Sequence, residues 1–247
     1  MNLVFMGTPE FAVPSLNAFY QSRHQIKAVV TVPDKPSGRG RKLLPSAVKV
    51  AAQHLELPIL QPDDLNDPGF KRQLFDLDAD LFFVVGFRIL PQDIFTMPPK
   101  GTVNLHASLL PQYRGAAPIN WALINGEAET GVTTFFIEKS VDTGNVLLQA
   151  AIPVEENTTA GELHDELAAL GAALAVRTID GLEDGTLSAS EQSGTVTKAP
   201  KLTKELGKID WSLPAEQVHN LIRGLSPYPG CYTILRDRTI KILRSRI

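Results

Sequence analysis

The chain has 247 residues, 43% of them hydrophobic and 21% charged, with a formal charge of −3. That composition can build a sizeable core and excludes a disordered or collagen-like chain, and the length suggests one large domain with or without an appendage. A single cysteine, Cys231, excludes a disulfide scaffold and fits a reducing compartment. The longest apolar run, the ten residues Leu167 to Val176, is far short of the roughly 20 that span a bilayer. The short apolar stretch at the N-terminus has no basic region before it, so no secretory signal is expected and the chain is read as cytoplasmic, without a membrane partner. Near-neutral charge gives no global argument for nucleic-acid binding, which must then rest on a local patch.

In chain order, Leu3-Val4-Phe5-Met6 reads as a strand and Gly7 as its turn, with Thr8 capping a helix that Pro9 opens. Ile26 to Val32 reads as a second strand, Ser46 to Leu55 as a helix, and Leu81 to Val85 as a strand buried on both faces. This alternation predicts an α/β fold: a Rossmann-like, mainly parallel sheet with helices on both faces. Gly7 opens no G-x-G-x-x-G pattern and no P-loop motif occurs, so the fold by itself does not imply NAD or ATP.

Further on, Thr133 to Ile137 and Val146 to Gln149 read as strands around the loop Ser140-Val141-Asp142-Thr143-Gly144-Asn145. Thr159-Ala160-Gly161-Glu162 matches a capping box, and Leu163, Leu167, Leu170 and Leu174 recur at helical spacing. Residues 188–206, rich in Ser, Thr, Gly and Lys, read as an exposed connection. Ala215 to Arg223 then suggests a helix, and Cys231 to Leu235 with Thr239 to Leu243 a hairpin around Asp237-Arg238. The expected division is a catalytic domain at 1–187, the connection at 188–206, and a short, incomplete β-containing unit at 207–247. Two strands and a helix are too little for a core of their own.

The stretch Val103-Asn104-Leu105-His106 carries the most chemistry. Asn104 and His106 are two apart, so on a strand they share one face while Val103 and Leu105 take the other. The carboxyl ends of parallel strands are where open α/β sheets bind ligands. A hydrogen-bonded histidine at a strand end is the plain alternative. After the pair comes the long, poorly periodic stretch Ser108 to Ile119, and Asp142 adds a carboxylate beside Gly144. Singly, Asp142 is a common turn residue. A hydrolase triad of Ser108, His106 and Asp142 is disfavoured, because no G-x-S-x-G elbow presents the serine. A metal site is disfavoured too: His164-Asp165-Glu166 lacks the H-E-x-x-H spacing, and the five histidines are scattered.

Four motifs together resemble the methionyl-tRNA formyltransferases, within the wider folate-dependent formyltransferases. They are Gly7-Thr8-Pro9-Glu10-Phe11-Ala12, the segment Pro33 to Leu43, Asn104-Leu105-His106 with the Ser108 to Ile119 loop, and Asp142-Thr143-Gly144. Lys208-Ile209-Asp210-Trp211 and Leu225 to Gly230 are similar to that family's passage into its C-terminal domain. The chain departs from the family in a segment around Arg88 that is one residue shorter, and in stopping after what resembles the first two strands of a C-terminal barrel.

The resemblance implies formyl transfer from 10-formyltetrahydrofolate to the amino group of initiator methionyl-tRNA, with no metal. Acyl transfer to an amine develops an oxyanion and requires loss of a proton from the nitrogen. Asn104 would donate to the oxyanion, His106 would donate or shuttle protons, and Asp142 would orient His106 and relay the amine proton. The resemblance places the folate at Phe87, Arg88, Ile89 and Leu90, at Val141 and Asp142, and along Ser108, Leu109, Leu110 and Pro111. Arg39, Arg41 and Lys42, with Gly38 and Gly40, form a basic loop for tRNA phosphates, and a monomer is expected. The rivals are a formyltransferase acting on an amino sugar or nucleotide amine, which has less need of those three cations, and a nonenzymatic folate or tRNA binding module.

Overall fold

A computed structural model describes residues 1–37 and 42–247, the side chains of Pro36, Ser37 and Lys42 excepted. The chain forms two compact units whose boundaries interleave along the sequence. One comprises 1–106, 133–148 and 168–192, the other 107–132, 149–167 and 193–247.

The main sheet has its strands in the order Val146–Pro153, Glu129–Phe136, Thr102–His106, Leu81–Val85, Asn2–Gly7, Gln25–Val30 and Ile59–Leu60, and the first unit holds all of it but residues 129–132 and 149–153. The five from Ile59–Leu60 to Thr102–His106 are parallel, and Glu129–Phe136 runs antiparallel to the strand that ends in His106. The mainly parallel sheet is thus as the sequence predicts. Leu81–Val85 is buried throughout because both faces are covered. On one face Val4, Met6, Phe82 and Val84 pack with Phe70 and Leu74 of the helix Pro68–Asp76 and with Ile94 of Gln92–Phe95. On the other, Phe19 of the helix Val13–Gln21 meets Phe5 and Phe83 edge-on, at centroid distances of 6.3 and 4.7 Å. Each such fully buried aromatic contributes about 1.5–3 kcal/mol over exposure.

Register decides which face of the Thr102–His106 strand carries chemistry. Asn104 lies beside Val84 and opposite Phe135, while Leu105 takes the other face. There the long helix Ala160–Glu183 comes so close that a Cβ on Gly171 would stand 2.7 Å from Leu105 Cδ2, so glycine admits the contact. The Thr134 and Thr178 hydroxyls bond at 2.8 Å on the same side. That packing seals the back of the strand and leaves Asn104 and His106 on the front.

Several local expectations change. Thr8 caps nothing: Pro9 is extended, a 3-10 turn Glu10–Ala12 follows, and the helix begins at Val13 with Pro14 in its first turn. Ser46 does cap its helix, Ala47–His54, accepting from Lys49 N at 3.0 Å. On either side of the basic loop, Lys35–Ser37 pairs antiparallel with Lys42–Leu44. Gly38, Arg39, Gly40 and Arg41 lie outside the described residues.

In the second unit the helices Pro118–Ile124 and Ala215–Gly224 touch through Gly224, whose carbonyl accepts from Asn120 Nδ2 at 2.7 Å. A Cβ there would meet Ile124 at 2.6 Å. Ile209, Val218, Ile222, Leu225 and Cys231 form the local core. The hairpin pairs Cys231–Leu235 with Arg238–Ile242, and its turn is Arg236-Asp237, one residue earlier than expected, both with positive φ as a tight hairpin turn requires. Residues 188–206 are not simply an exposed connection: Lys198–Ala199 pairs with Arg114–Gly115, and Ala199 is fully buried. The capping box forms, with Thr159 N donating to Glu162 Oε2 at 2.9 Å. Among the described residues no helix is long and apolar enough to cross a membrane.

Candidate active site

The site is built on the last residues of the Thr102–His106 strand. Alternation places Asn104, half-buried, and His106, buried, on its front face. The loop bearing Asp142 leaves the sheet at Phe136, whose partner on the histidine strand is Val103, three residues back from His106. To reach the histidine it must return along the strand, and it does so: Asp142 Oδ2 lies 4.0 Å from His106 Nδ1, with both side chains about nine-tenths buried. A protonated His106 and the Asp142 carboxylate attract at that distance.

Three local features hold the loop. Asp142 itself adopts a φ of 56°, a left-handed conformation that aspartate tolerates better than most side chains. Gly144 lies against the chain so tightly that a Cβ would stand 1.7 Å from the Phe136 carbonyl oxygen. Thr143 Oγ1 donates to the Ser140 carbonyl at 3.0 Å. From outside the loop, Gln192 Nε2 donates to the carbonyls of Asp142 and Gly144 at 3.0 and 2.9 Å. Sequence reasoning missed Gln192, which sits in a low-complexity stretch with no motif around it.

The residues assigned to folate differ in their surroundings. Gly86, with φ of 58°, turns the chain out of its strand into Phe87–Leu90, which forms neither helix nor strand. Phe87 and Arg88 are half-buried, Ile89 is 79% exposed, and Leu90 belongs to the apolar core. The Arg88 guanidinium donates to the carbonyls of Pro62 and Asp63 and lies over the Phe87 ring at 5.3 Å. Its Nε is buried without a hydrogen-bond partner among the described residues. Val141 is exposed.

In the second unit, Ser108 is fully buried and its hydroxyl donates to the Gln112 carbonyl at 2.6 Å, a loop-holding role rather than a nucleophile's. Leu109 is half-buried, Leu110 and Pro111 are buried, and Gln149 Nε2 donates to the Leu110 carbonyl at 2.9 Å. The same unit holds Tyr113, which bonds Glu127 and Asn125; burial and the Glu127 carboxylate push its phenol up to about 12.

Arg39 and Arg41 fall among the residues not described, as does the side chain of Lys42. Just before the first of the paired strands, Asp34 takes bonds from Lys49 Nζ at 2.8 and 2.7 Å and from Gln61 Nε2 at 2.9 Å, and Lys49 holds its carboxyl below the usual range. One group with metal-ligand geometry occurs among the described residues, His24 with Asp180 and Glu183. Its carboxylates already face cations: Asp180 meets Arg23 at 2.8 Å and Glu183 meets the N-terminal ammonium at 2.5 Å.

Two family models cover most of the chain. That described as formyl transferase matches residues 1–179, and that described as formyl transferase, C-terminal domain, matches residues 201–247. The class of protein is therefore a formyl transferase. The methionyl-tRNA formyltransferase of Caldanaerobacter subterraneus subsp. tengcongensis is 48% identical over 250 residues, covering all of this chain and 81% of the relative. That of Porphyromonas gingivalis strain W83 is 49% identical over 257 residues, covering all of this chain and 80% of the relative. The chain belongs to the methionyl-tRNA formyltransferase family. The fold is shared with an N-formyltransferase from Helicobacter canadensis solved with folinic acid and dTDP-3-aminofucose, at a TM-score of 0.74 and 21% identity over 98% of this chain and 86% of that one.

Proposed function

We propose that this chain transfers the formyl group of 10-formyltetrahydrofolate to the amino group of initiator methionyl-tRNA, with Asn104, His106 and Asp142 as its catalytic residues. The observation that carries the reading is the return of the Asp142 loop to within 4.0 Å of His106, on the face His106 shares with Asn104. Full-length similarity to methionyl-tRNA formyltransferases supports the acceptor.

The folate, when bound, supplies the formyl carbonyl and a nitrogen leaving group. The groups around Phe87 to Leu90 fit a flat heteroaromatic ring with amide edges: a half-buried phenyl ring, backbone in neither helix nor strand, and a buried Arg88 Nε that has no hydrogen-bond partner among the described residues. Val141 and Asp142 of the same unit complete these proposed contacts, and Ser108 to Pro111 are residues that the family resemblance alone assigns to folate. The Asn104 amide donates to the formyl oxygen as negative charge develops there, and such a donor contributes about 10²–10³ in turnover. His106, as imidazolium, donates to the same region or passes a proton toward the leaving nitrogen. Asp142 orients that imidazole and takes the proton released by the attacking amine.

For the tRNA, the paired strands Lys35–Ser37 and Lys42–Leu44 bracket Arg39 and Arg41 in sequence, and Asp34, just before them, is tied to Lys49. Those arginines with Lys42 are proposed to contact phosphates of the acceptor arm. A monomer is part of the proposed reading, and a charged tRNA acceptor points to the cytoplasm. The test is formyl transfer from 10-formyltetrahydrofolate to charged initiator tRNA with an amino sugar as competing acceptor. Transfer to the tRNA is expected, and preference for the sugar would overturn the reading.

A further inference from the structure

We propose that Gln192 is a positioning residue for formyl transfer, its side-chain amide holding the Asp142 carboxylate at His106; this rests on the catalytic reading of those two residues. The two hydrogens of its amide nitrogen go to two different carbonyls, those of Asp142 and Gly144, at 3.0 and 2.9 Å. These carbonyls flank Thr143, so one planar group ties down both sides of the turn that presents the carboxylate. A donor pair on one nitrogen is what the position needs: a carboxylate there would offer only acceptors to two carbonyls, and a thioether no donor at all.

The clamp has a firm base. Two residues before Gln192, Ser190 pairs with Val146 through backbone bonds of 2.7 and 2.8 Å, which ties the segment to the strand at the far side of the same loop. On its inner side the loop rests on Phe136 through Gly144. Gln192 thus closes the third side of a turn whose Asp142 backbone sits in a conformation that side chains other than glycine rarely choose. Without those two bonds the turn is free to relax, and the carboxylate moves with it. Displacements of about 1 Å at a reacting group cost on the order of 10² in rate.

The experiment measures steady-state formylation of charged initiator tRNA by Gln192→Met and Gln192→Glu, alone and combined with Asp142→Asn. Expected is a fall in kcat of about 10- to 100-fold for Gln192→Met, a larger one for Gln192→Glu, and KM values for tRNA and folate within about two-fold of wild type. Because Gln192 acts through Asp142, Gln192→Met should add less than about two-fold in the Asp142→Asn background. A Gln192→Met enzyme with normal kcat, a loss confined to KM, or the same loss with and without the Asp142 carboxylate would each overturn the proposal. If Asp142→Asn itself keeps normal turnover, the catalytic reading fails first and Gln192 has nothing to position. Should the Gln192 variants not fold, hydrogen exchange of the Gln192 side-chain amide in the wild-type chain decides: protection is expected, and exchange as fast as in an exposed glutamine overturns the clamp.

Discussion

A Cβ added to Gly144 would stand 1.7 Å from the carbonyl oxygen of Phe136 and 2.9 Å from its carbonyl carbon. Both are backbone atoms, so no side chain can move aside. Gly144→Ala must therefore displace the loop that carries Asp142. Overpacking of this kind costs about 1–3 kcal/mol, and the accompanying shift of the carboxylate is expected to lower turnover by about 10². Thermal melting and steady-state kinetics on the same preparation check both, and an active variant of unchanged stability would contradict the tight approach.

Asp142→Asn is a clean test of the carboxylate, because asparagine also tolerates the left-handed backbone that Asp142 adopts with φ of 56°. The turn should persist while the charge facing His106 disappears. Turnover is expected to drop by about 10² or more, with His106→Ala at least as severe and Asn104→Ala similar through loss of an oxyanion donor. Circular dichroism establishes that each variant is folded. Near-normal turnover in any of them would remove that residue from the mechanism.

Replacing Arg39 and Arg41 together by alanine is expected to weaken tRNA binding and to flatten its salt dependence. Each phosphate contact to a single-stranded end contributes a slope of about −0.7 in log affinity against log salt, so the change is up to about 1.4. Folate affinity should hardly move. Titrations at several salt concentrations measure the slope, and a wild-type slope would remove Arg39 and Arg41 from tRNA binding.

Glu162 supplies a pH-dependent contribution in the second unit. Bonds from the Thr159 backbone and hydroxyl, and then from Arg244, bring its carboxyl down to about 2. A depressed carboxylate stabilises the folded state fully above its ordinary range near 4.5 and loses that contribution as pH falls toward about 2. The side chain is 46% exposed, so solvent screening keeps the effect modest. Protection of the amides in the first turn of the Ala160–Glu183 helix should therefore decline between about pH 4.5 and 2 in the wild type. In Glu162→Gln it should be lower and flat across that window. Thr159→Ala, which removes the reciprocal cap, is expected to cost about 1 kcal/mol in urea denaturation.

Period and spacing in the sequence determined the parallel sheet, the buried Leu81–Val85 strand, the capping box at Thr159 and the shared face of Asn104 and His106. Each of these follows from patterns of adjacent residues, and local sterics act over that range. Thr8 shows the limit even there: the following proline is extended, and three more residues pass before the helix forms. What only the tertiary structure decided is the set of meetings between distant segments. Asp142 reaches His106 because its loop turns back over the sheet, held by a glycine against Phe136 and by Gln192 from a stretch without any pattern. Likewise Gly171 has no local signal of purpose, and its reason is the Leu105 side chain on a strand far away in the chain. Close approach and hydrogen bonding between remote segments depend on three-dimensional packing, which residue periodicity does not encode.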